Sequence, residues 1–266
     1  MAPSELLDQA VALAKEAGVA IMAVYGRTEI TSEIKANQSP LTEADLSAHR
    51  IISEGLRRLT PDISVLSEED CQAFSGENEA GLYWLVDPLD GTKEFLSRNG
   101  EFTVNLALIE QGTPILGVVL APALGICYLA AKGAGAHKLN AAGQRCALAT
   151  SGRNGQTPWR VVGSRSHAGD SLRDFLTALG RHEFVPMGSS LKLCLVAEGR
   201  ADLYPRFGPT HHWDTAAAHC VVEQAGGQVM DLSGKPLRYP VSTSTLNPHF
   251  LVLGGGLQFS DLPFLT

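Results

Sequence analysis

The segment 84–92 constrains this chain more than any other feature, because an apolar run ends there in two closely spaced carboxylates. It reads Trp-Leu-Val-Asp-Pro-Leu-Asp-Gly-Thr, which predicts a buried strand followed by a turn that aims Asp87 and Asp90 at one point. Only a cation makes such an arrangement favourable. A second short apolar run ends in Ser-Glu-Glu-Asp at 67–70. The sequence therefore predicts a hard-cation site of the Mg²⁺ kind at two strand ends.

Composition and charge exclude several classes of protein. The 266 residues, 44% of them hydrophobic, suit one large domain or two intimate ones. The net charge of −7 disfavours a nucleic-acid polymer as partner, although bound metal ions could still attract a small anionic substrate. Five scattered cysteines without a C-x-x-C motif indicate reduced thiols in a cytoplasmic protein. Glycine and proline interrupt the uncharged segment 111–131, which favours two strands over a transmembrane segment.

Hydrophobic periodicity predicts an α+β fold in two halves. Residues 1–150 are expected to form two helices, capped by Ser4 and Thr42, and then an antiparallel sheet that carries most of the acidic residues. The polar, glycine-rich segment 141–158 marks the boundary, and residues 151–266 alternate strands and helices in the α/β manner. The two halves together are expected to form one catalytic domain. The antiparallel strands are expected at 102–109, 115–120 and 126–130.

Each carboxylate has an ordinary structural interpretation beside the functional one. Glu68, Asp87 and Asp90 could each serve in a turn or cap, but their joint spacing favours metal ligation. Two residues separate the aspartates, unlike the Asp-x-Asp-Gly-Thr of phosphatases with an aspartate nucleophile, so metal-activated water is the favoured chemistry. For Asp45 two interpretations stay open. It could cap the second helix, or it could accept a hydrogen bond from Thr92, whose hydroxyl then orients a water.

Four further segments carry polar groups at predicted strand ends or helix starts. The His-His-Trp-Asp at 211–214 lacks the ligand spacing of a zinc site, so Asp214 is either a helix-start carboxylate or a metal ligand from the second half. The other three place hydroxyls or cations where backbone N–H groups favour anions, although each alone would fit a solvated loop. They are Ser-Arg-Ser-His (164–167), Gly-Ser-Ser-Leu-Lys (188–192) and Tyr-Pro-Arg (204–206).

Taken together, these motifs resemble those of the inositol monophosphatase superfamily of Mg²⁺-dependent, lithium-sensitive phosphatases. The resemblance extends from the first helix to near residue 250. Its acidic motifs are the segments 67–70, 84–95 and 213–217. Three extended motifs are similar to those of the bacterial branch that acts on 3′(2′),5′-bisphosphate nucleotides in sulfate assimilation. They lie at 98–105, 188–192 and 204–210.

The resemblance implies a fold, an activity and a setting. The fold is a layered αβαβα sandwich of the inositol monophosphatase / fructose-1,6-bisphosphatase type, with the active site between the halves. The activity is hydrolysis of 3′-phosphoadenosine 5′-phosphate to AMP and phosphate, with two or three Mg²⁺ ions and no covalent intermediate. An inositol or sugar monophosphatase, or a non-catalytic nucleotide sensor, are the alternatives. The implied location is the cytoplasm, with peripheral association with the inner membrane in some relatives, and the chain could be a monomer or a homodimer.

The resemblance also implies a role for each residue that matches a family motif. The implied metal ligands are Glu68, Asp87, the backbone carbonyl of Leu89, Asp90 and Asp214. Thr92 with Asp45 would activate the attacking water, with Glu69 close by. The N–H groups of Gly91 and Thr92 would hold the scissile phosphate, which the ligand residues Glu68, Leu89, Asp90 and Asp214 would also face. The second phosphate and the nucleotide would contact His167, Ser189, Lys192 and Arg206.

Overall fold

A computed structural model of the protein describes residues 2–34, 40–152, 157–164 and 169–262. Helices and sheets alternate through it in layers. The helices are α1 (Pro3–Tyr25), α2 (Glu43–Leu59), α3 (Thr92–Leu96), α4 (Asp170–Leu179), α5 (Leu191–Ala197) and α6 (Ala216–Gln224). The strands are β1 (Ser32–Ile34), β2 (Pro40–Thr42), β3 (Val65–Ser67), β4 (Leu82–Asp90), β5 (Thr103–Glu110), β6 (Thr113–Ala121), β7 (Ile126–Ala131), β8 (Gly135–Leu139), β9 (Arg145–Ala147), β10 (Trp159–Gly163), β11 (His182–Pro186), β12 (Leu203–Arg206), β13 (Gln228–Asp231) and β14 (Phe250–Leu253).

Within the described residues the strands pair into two large sheets and a short β1–β2 ladder. The first sheet has seven strands in the order β3-β4-β5-β6-β7-β8-β9, and each neighbouring pair is antiparallel except β3 and β4. The second has five strands in the order β11-β10-β12-β14-β13. In it β10 runs parallel to β11 and β12, and β14 runs antiparallel to β12 and β13.

Alternating side chains on the strands produce the layers, because successive residues of a strand point to opposite faces of its sheet. On β4, Trp84 packs in the cluster formed with α1 and α2, whereas Leu85 packs in the cluster that contains α5 and α6. On β14, Val252 joins that same α5–α6 cluster, whereas Leu251 packs on the other face with Phe175 of α4. The α+β class and the αβαβα sandwich expected from the sequence are confirmed.

Several sequence expectations can be compared with these elements. The three antiparallel strands are confirmed as β5, β6 and β7. The uncharged segment 111–131 forms β6 and β7, and no described helix is long and apolar enough to cross a membrane. The expected cap at Ser4 is wrong. Helix α1 begins at Pro3, whose fixed φ suits a first helical position, and the N–H of Ala2 donates to the Glu5 carboxylate at 2.9 Å.

The parallel pairing of β3 with β4 brings the two acidic strand ends together. Strand β3 ends beside Val86, and the N–H of Glu68 donates to the Val86 carbonyl at 3.1 Å. The strand β4 does not end at Val86 as expected but continues to Asp90, with an irregularity in its register between Asp87 and Asp90. Such a bulge redirects side chains and accommodates Pro88, which has no N–H to donate to a neighbouring strand.

Candidate active site

Three carboxylates from distant parts of the chain meet at one point. Asp87 and Asp90 lie on β4, and Asp214 lies in a short 3₁₀ helix, His212–Asp214, just before α6. One carboxylate oxygen from each lies within 4.8 Å of the others. All three side chains also accept a backbone hydrogen bond, which fixes their orientation. The donors are the N–H groups of Leu89 to Asp87 (3.0 Å), Ser190 to Asp90 (2.6 Å) and His211 to Asp214 (2.9 Å).

The electrostatics of this cluster favour a bound cation. Burial, joined by the charges of Glu68 and the neighbouring aspartates, raises the pKa of Asp87 well above its usual range. Burial also raises the pKa of Asp214, and it raises that of Asp90 to about 6 although the Lys192 charge acts in the opposite direction. Three carboxylate oxygens match the preference of Mg²⁺ for hard ligands. The residues present therefore fit a divalent metal, whose charge would offset the mutual repulsion.

The other expected ligands and the acidic neighbour lie around the cluster. Glu68 follows β3 directly and is half-buried, and its charge raises the pKa values of all three aspartates. Glu69 is next in the same turn, and its charge also raises the pKa of Asp87. Leu89 is buried between the two aspartates of β4, and its side chain packs against the α1–α2 layer.

Asp45 makes both of the contacts that the sequence left open as alternatives. Its Oδ2 accepts hydrogen bonds from the N–H (2.8 Å) and the hydroxyl (2.5 Å) of Thr42, the residue that caps α2. Its Oδ1 accepts a hydrogen bond from the hydroxyl of Thr92 at 3.4 Å. Asp45 is only 1% exposed. One carboxylate therefore completes a helix cap and at the same time positions the threonine near the carboxylate cluster.

Gly91 joins the end of β4 to α3 in a conformation that favours glycine. Its φ is +91°, and a Cβ there would lie 3.3 Å from each of three atoms, the Glu101 carbonyl oxygen, Glu94 Oε2 and Ser189 Cβ. The absence of a side chain leaves the backbone of Gly91 and Thr92 accessible beside Asp90, where the family resemblance implies that the scissile phosphate would bind.

Lys192 is a buried cation near the same carboxylates. It is 8% exposed, its Nζ donates to the Ser189 carbonyl at 2.5 Å, and the same atom lies 5.7 Å from the ring centroid of Tyr204. Burial lowers its pKa to about 8, although the charge of Asp90 partly opposes the shift. A lysine with a lowered pKa in a cleft is typical of a functional position.

Arg206 stands at the end of β12 and lines one cleft of about 200 Å³ together with Lys192 and two carboxylates of the cluster, Asp90 and Asp214. Its Nη2 donates to the Pro209 carbonyl at 2.8 Å, and its buried Nε has no hydrogen-bond partner among the described residues. Ser189 lines the same cleft, whereas His167 lies outside the described residues. The structure thus brings a carboxylate end and a cationic end into one cleft.

Hydrogen bonds among residues to which the sequence assigned no role connect the segments that line this cleft. Ser190 donates through Oγ to Asn105 Oδ1 at 2.8 Å and shares a 2.8 Å hydrogen bond with the Thr103 hydroxyl. The N–H of Gly188 donates to Glu101 Oε2 at 2.8 Å. All of them lie within the extended motifs at 98–105 and 188–192, but no local pattern shows that these motifs contact each other.

The side chains of the two histidines before Asp214 make packing contacts and do not belong to the carboxylate cluster. The ring of His211 stacks on Trp213 with centroids 4.8 Å apart, and its Nδ1 shares a 2.8 Å hydrogen bond with the Thr245 hydroxyl. His212 is buried and packs edge-on against Tyr239. Within the described residues, the cluster that could hold a metal contains carboxylates alone.

Comparisons with a family profile, with curated proteins and with solved structures all indicate the same family. A profile of the inositol monophosphatase family matches residues 2–253. The 3′(2′),5′-bisphosphate nucleotidase CysQ of Escherichia coli K12 is 52% identical over 250 residues, which cover 93% of this chain and 99% of that protein. CysQ of Buchnera aphidicola is 43% identical over 90% of this chain and 89% of its own. The crystal structure of CysQ from Bacteroides thetaiotaomicron superposes with a TM-score of 0.78 at 37% identity, covering 92% of this chain and 96% of that one.

Proposed function

Since this chain belongs to the inositol monophosphatase family, we propose that it is a 3′(2′),5′-bisphosphate nucleotidase that hydrolyses 3′-phosphoadenosine 5′-phosphate to AMP and phosphate. The observation that carries the proposal is the pairing of the carboxylate cluster with Lys192 and Arg206 in one cleft. A substrate with two phosphates needs an anion site beyond the metal, whereas a sugar monophosphate does not.

The metal part of the proposal is a site for two or three Mg²⁺ ions. Such ions, when bound, offset phosphate charge, lower the pKa of a water and stabilise the leaving oxygen. The residues that would hold them are the side chains of Glu68, Asp87, Asp90 and Asp214 and the backbone carbonyl of Leu89. The buried Asp87 and the half-buried carboxylates around it repel one another, and their need for a compensating charge supports this assignment.

The residues of the chain have distinct tasks in the proposed reaction. The Thr92 hydroxyl donates to Asp45, so the lone pairs of the Thr92 oxygen are free to accept a hydrogen bond from the attacking water and to hold that water in line. Glu69, in the turn beside the cluster, is proposed to assist this water. The N–H groups of Gly91 and Thr92 would hold the scissile phosphate. Water attacks phosphorus directly, so no residue forms a covalent bond to the phosphoryl group.

The second phosphate is proposed to lie at the cationic end of the cleft. Lys192 and Arg206 supply the charge, and Ser189 supplies a hydroxyl from the loop before α5. His167 is proposed as a further contact to the nucleotide on the basis of its motif alone. A role in sulfate assimilation, inhibition by lithium and a cytoplasmic location belong to the same proposal and rest on the family resemblance.

The test is phosphate release with Mg²⁺ from 3′-phosphoadenosine 5′-phosphate beside inositol 1-phosphate at equal concentration. We expect a strong preference for the nucleotide, and we expect Lys192→Ala to reduce turnover of the bisphosphate far more than that of a monophosphate. Preference for inositol phosphate would replace the nucleotidase with an inositol monophosphatase on the same fold. Binding of nucleotide without release from either substrate would indicate a sensor.

A further inference from the structure

The side chain of Glu94 is a third acidic element of the cleft that neither the metal site nor the proposed reaction uses. It lies on α3, two residues after Thr92, and lines the cleft with Asp90, Lys192 and Arg206. Among the described residues, no donor makes a hydrogen bond to its carboxylate and no cation forms an ion pair with it. Glu94 is half-buried and lines the cleft, so its carboxylate is free to accept a hydrogen bond from a bound substrate.

The glycines around Glu94 leave the space that its side chain occupies. A Cβ on Gly188 would lie 2.8 Å from Glu94 Cγ, and a Cβ on Gly91 would lie 3.3 Å from Glu94 Oε2. The same hypothetical Gly91 Cβ lies 3.3 Å from Ser189 Cβ, so the carboxylate stands between the end of β4 and the loop that carries Ser189. The charge of Glu94 acts on both Asp90 and Lys192. Glu94 therefore lies between the carboxylate end and the cationic end of the cleft.

The proposed substrate places one particular group at this position. If the scissile phosphate lies at Gly91 and the second phosphate at Lys192, the ribose that joins the two phosphates must span the interval between them. Phosphate oxygens are acceptors and would be repelled by Glu94. The free ribose hydroxyl is a donor, and a carboxylate is a strong acceptor for it.

We propose that Glu94 accepts a hydrogen bond from the 2′-hydroxyl of the ribose and thereby selects ribonucleotide over deoxyribonucleotide bisphosphates. This inference rests on the proposed function. A site built to bind a hydroxyl rejects the analogue that lacks it, because the analogue covers the acceptor and leaves it unpaired. The wild-type enzyme is therefore expected to prefer the ribonucleotide by about tenfold to a hundredfold in kcat/KM.

The experiment compares kcat/KM for the 3′,5′-bisphosphates of adenosine, 2′-deoxyadenosine and inosine. In Glu94→Ala the ratio of ribonucleotide to deoxyribonucleotide should fall to within about twofold of one, and in Glu94→Gln, which keeps a weaker acceptor, it should lie in between. The ratio of adenosine to inosine should not change. Glu16→Gln, at an exposed glutamate of α1, is the matched control and should leave all three values unchanged.

Three outcomes would overturn the inference. Equal losses on all three substrates in Glu94→Ala would indicate a role in charge or structure. If Glu94→Ala no longer distinguished adenosine from inosine, the role of Glu94 would be recognition of the base. If wild-type protein released no phosphate from any nucleotide, the proposed function would fail, and calorimetric binding of AMP beside 2′-deoxyadenosine 5′-monophosphate would still test Glu94. Equal affinity for the two ligands in wild-type protein would then exclude the hydroxyl contact.

Discussion

At the residue scale, the Asp45 carboxylate caps a helix and also contacts a residue of the candidate active site. One of its oxygens accepts two hydrogen bonds from Thr42 and the other accepts one from Thr92. The cap holds the carboxylate in a single orientation, so the hydroxyl of Thr92 has a fixed acceptor before any substrate arrives. The capping pattern and the catalytic dyad expected from the sequence are therefore compatible with each other, because they use different oxygens.

The first prediction concerns the hydroxyl of Thr92. Thr92→Ala removes the group that is proposed to orient the attacking water, and we expect kcat to fall by about 10²- to 10⁴-fold, the usual contribution of a general acid–base contact. Mg²⁺ dependence should change little, because the carboxylate ligands remain. Steady-state kinetics with a Mg²⁺ titration measure both quantities.

Thr92→Ser is the matched control for this prediction, since it keeps the hydroxyl and the bond to Asp45. It should retain most of the activity. If Thr92→Ala turned over at a near-normal rate, the dyad of Thr92 and Asp45 would have no part in activating the water.

The second prediction concerns the pH dependence that Lys192 imposes. Burial lowers the pKa of this lysine to about 8, so its charge is present below that pH and is lost as the pH rises through it. Because kcat/KM reports groups of the free enzyme, kcat/KM for the bisphosphate should fall above pH 8. Lys192→Arg, which stays charged over this range, should remove the decline.

Adenosine 3′-monophosphate provides a control on the wild-type enzyme, because it lacks the phosphate that Lys192 is proposed to hold. Its kcat/KM should show a much weaker decline above pH 8. A decline of equal size for both substrates, or one that persists in Lys192→Arg, would assign the titration to another group.

At the scale of elements, the close approach of α6 to β6 carries Asp214 into the site. A Cβ on Gly117 of β6 would lie 2.1 Å from the carbonyl oxygen of Ala217 in α6. The carbonyl oxygen belongs to the backbone and the position of the Cβ is fixed by the backbone, so neither atom can rotate away. The small residues at the start of α6 thus allow a packing distance that a larger residue on β6 would prevent.

The third prediction follows from this contact. Gly117→Ala should destabilise the protein by about 2 kcal/mol or more, because helix and sheet must separate to admit the methyl group. The free energy of unfolding in urea measures the effect. Gly169→Ala, where a Cβ meets no atom within 4 Å and φ is negative, is the control and should cost far less. Similar losses for both variants would mean that α6 adjusts without penalty.

The elements that could be predicted from the sequence are those with a strong apolar pattern. The strands β5 to β7 are buried along almost their whole length, and their continuous apolar runs specified them. The strands β8 and β9 were missed, because β9 is exposed throughout and is held by pairing with β8 rather than by burial. The extension of β4 beyond Val86 was also missed, since proline usually interrupts a strand and the bulge that tolerates it depends on the partner β5.

The same distinction applies to the candidate site. The spacing of Asp87 and Asp90 predicts a cation site locally, whereas the contribution of Asp214 required the family resemblance. The hydrogen bond from Ser190 to Asp90 joins residues 100 positions apart, and no pattern along the chain indicates it. The burial of Lys192, which sets its pKa, likewise depends on the packing of α5 between the sheets.

At the scale of the whole molecule, the cluster of carboxylates lies at the junction between the two sheets. Asp87 and Asp90 belong to the seven-stranded sheet, and Asp214 enters from the segment that follows the strand β12 of the other sheet. Without a cation, the charges of the buried Asp87 and the half-buried Asp90 and Asp214 repel one another across this junction. A divalent metal bound by all three would convert the repulsion into a link between the layers.

The fourth prediction therefore concerns thermal unfolding with and without Mg²⁺. Burial raises the pKa of Asp214 above its value in the unfolded chain, so this group lowers the stability of the metal-free protein as the pH rises above that unfolded value. Asp214→Asn should therefore raise Tm in EDTA at pH 7.5. Wild-type protein should gain about 2.7 kcal/mol at Mg²⁺ one hundred times its Kd, or several degrees in Tm. Asp214→Asn should lose most of that gain, whereas Asp174→Asn, at an exposed aspartate of α4, should keep it. An Asp214→Asn variant that Mg²⁺ stabilised as fully as wild type would exclude this carboxylate as a ligand.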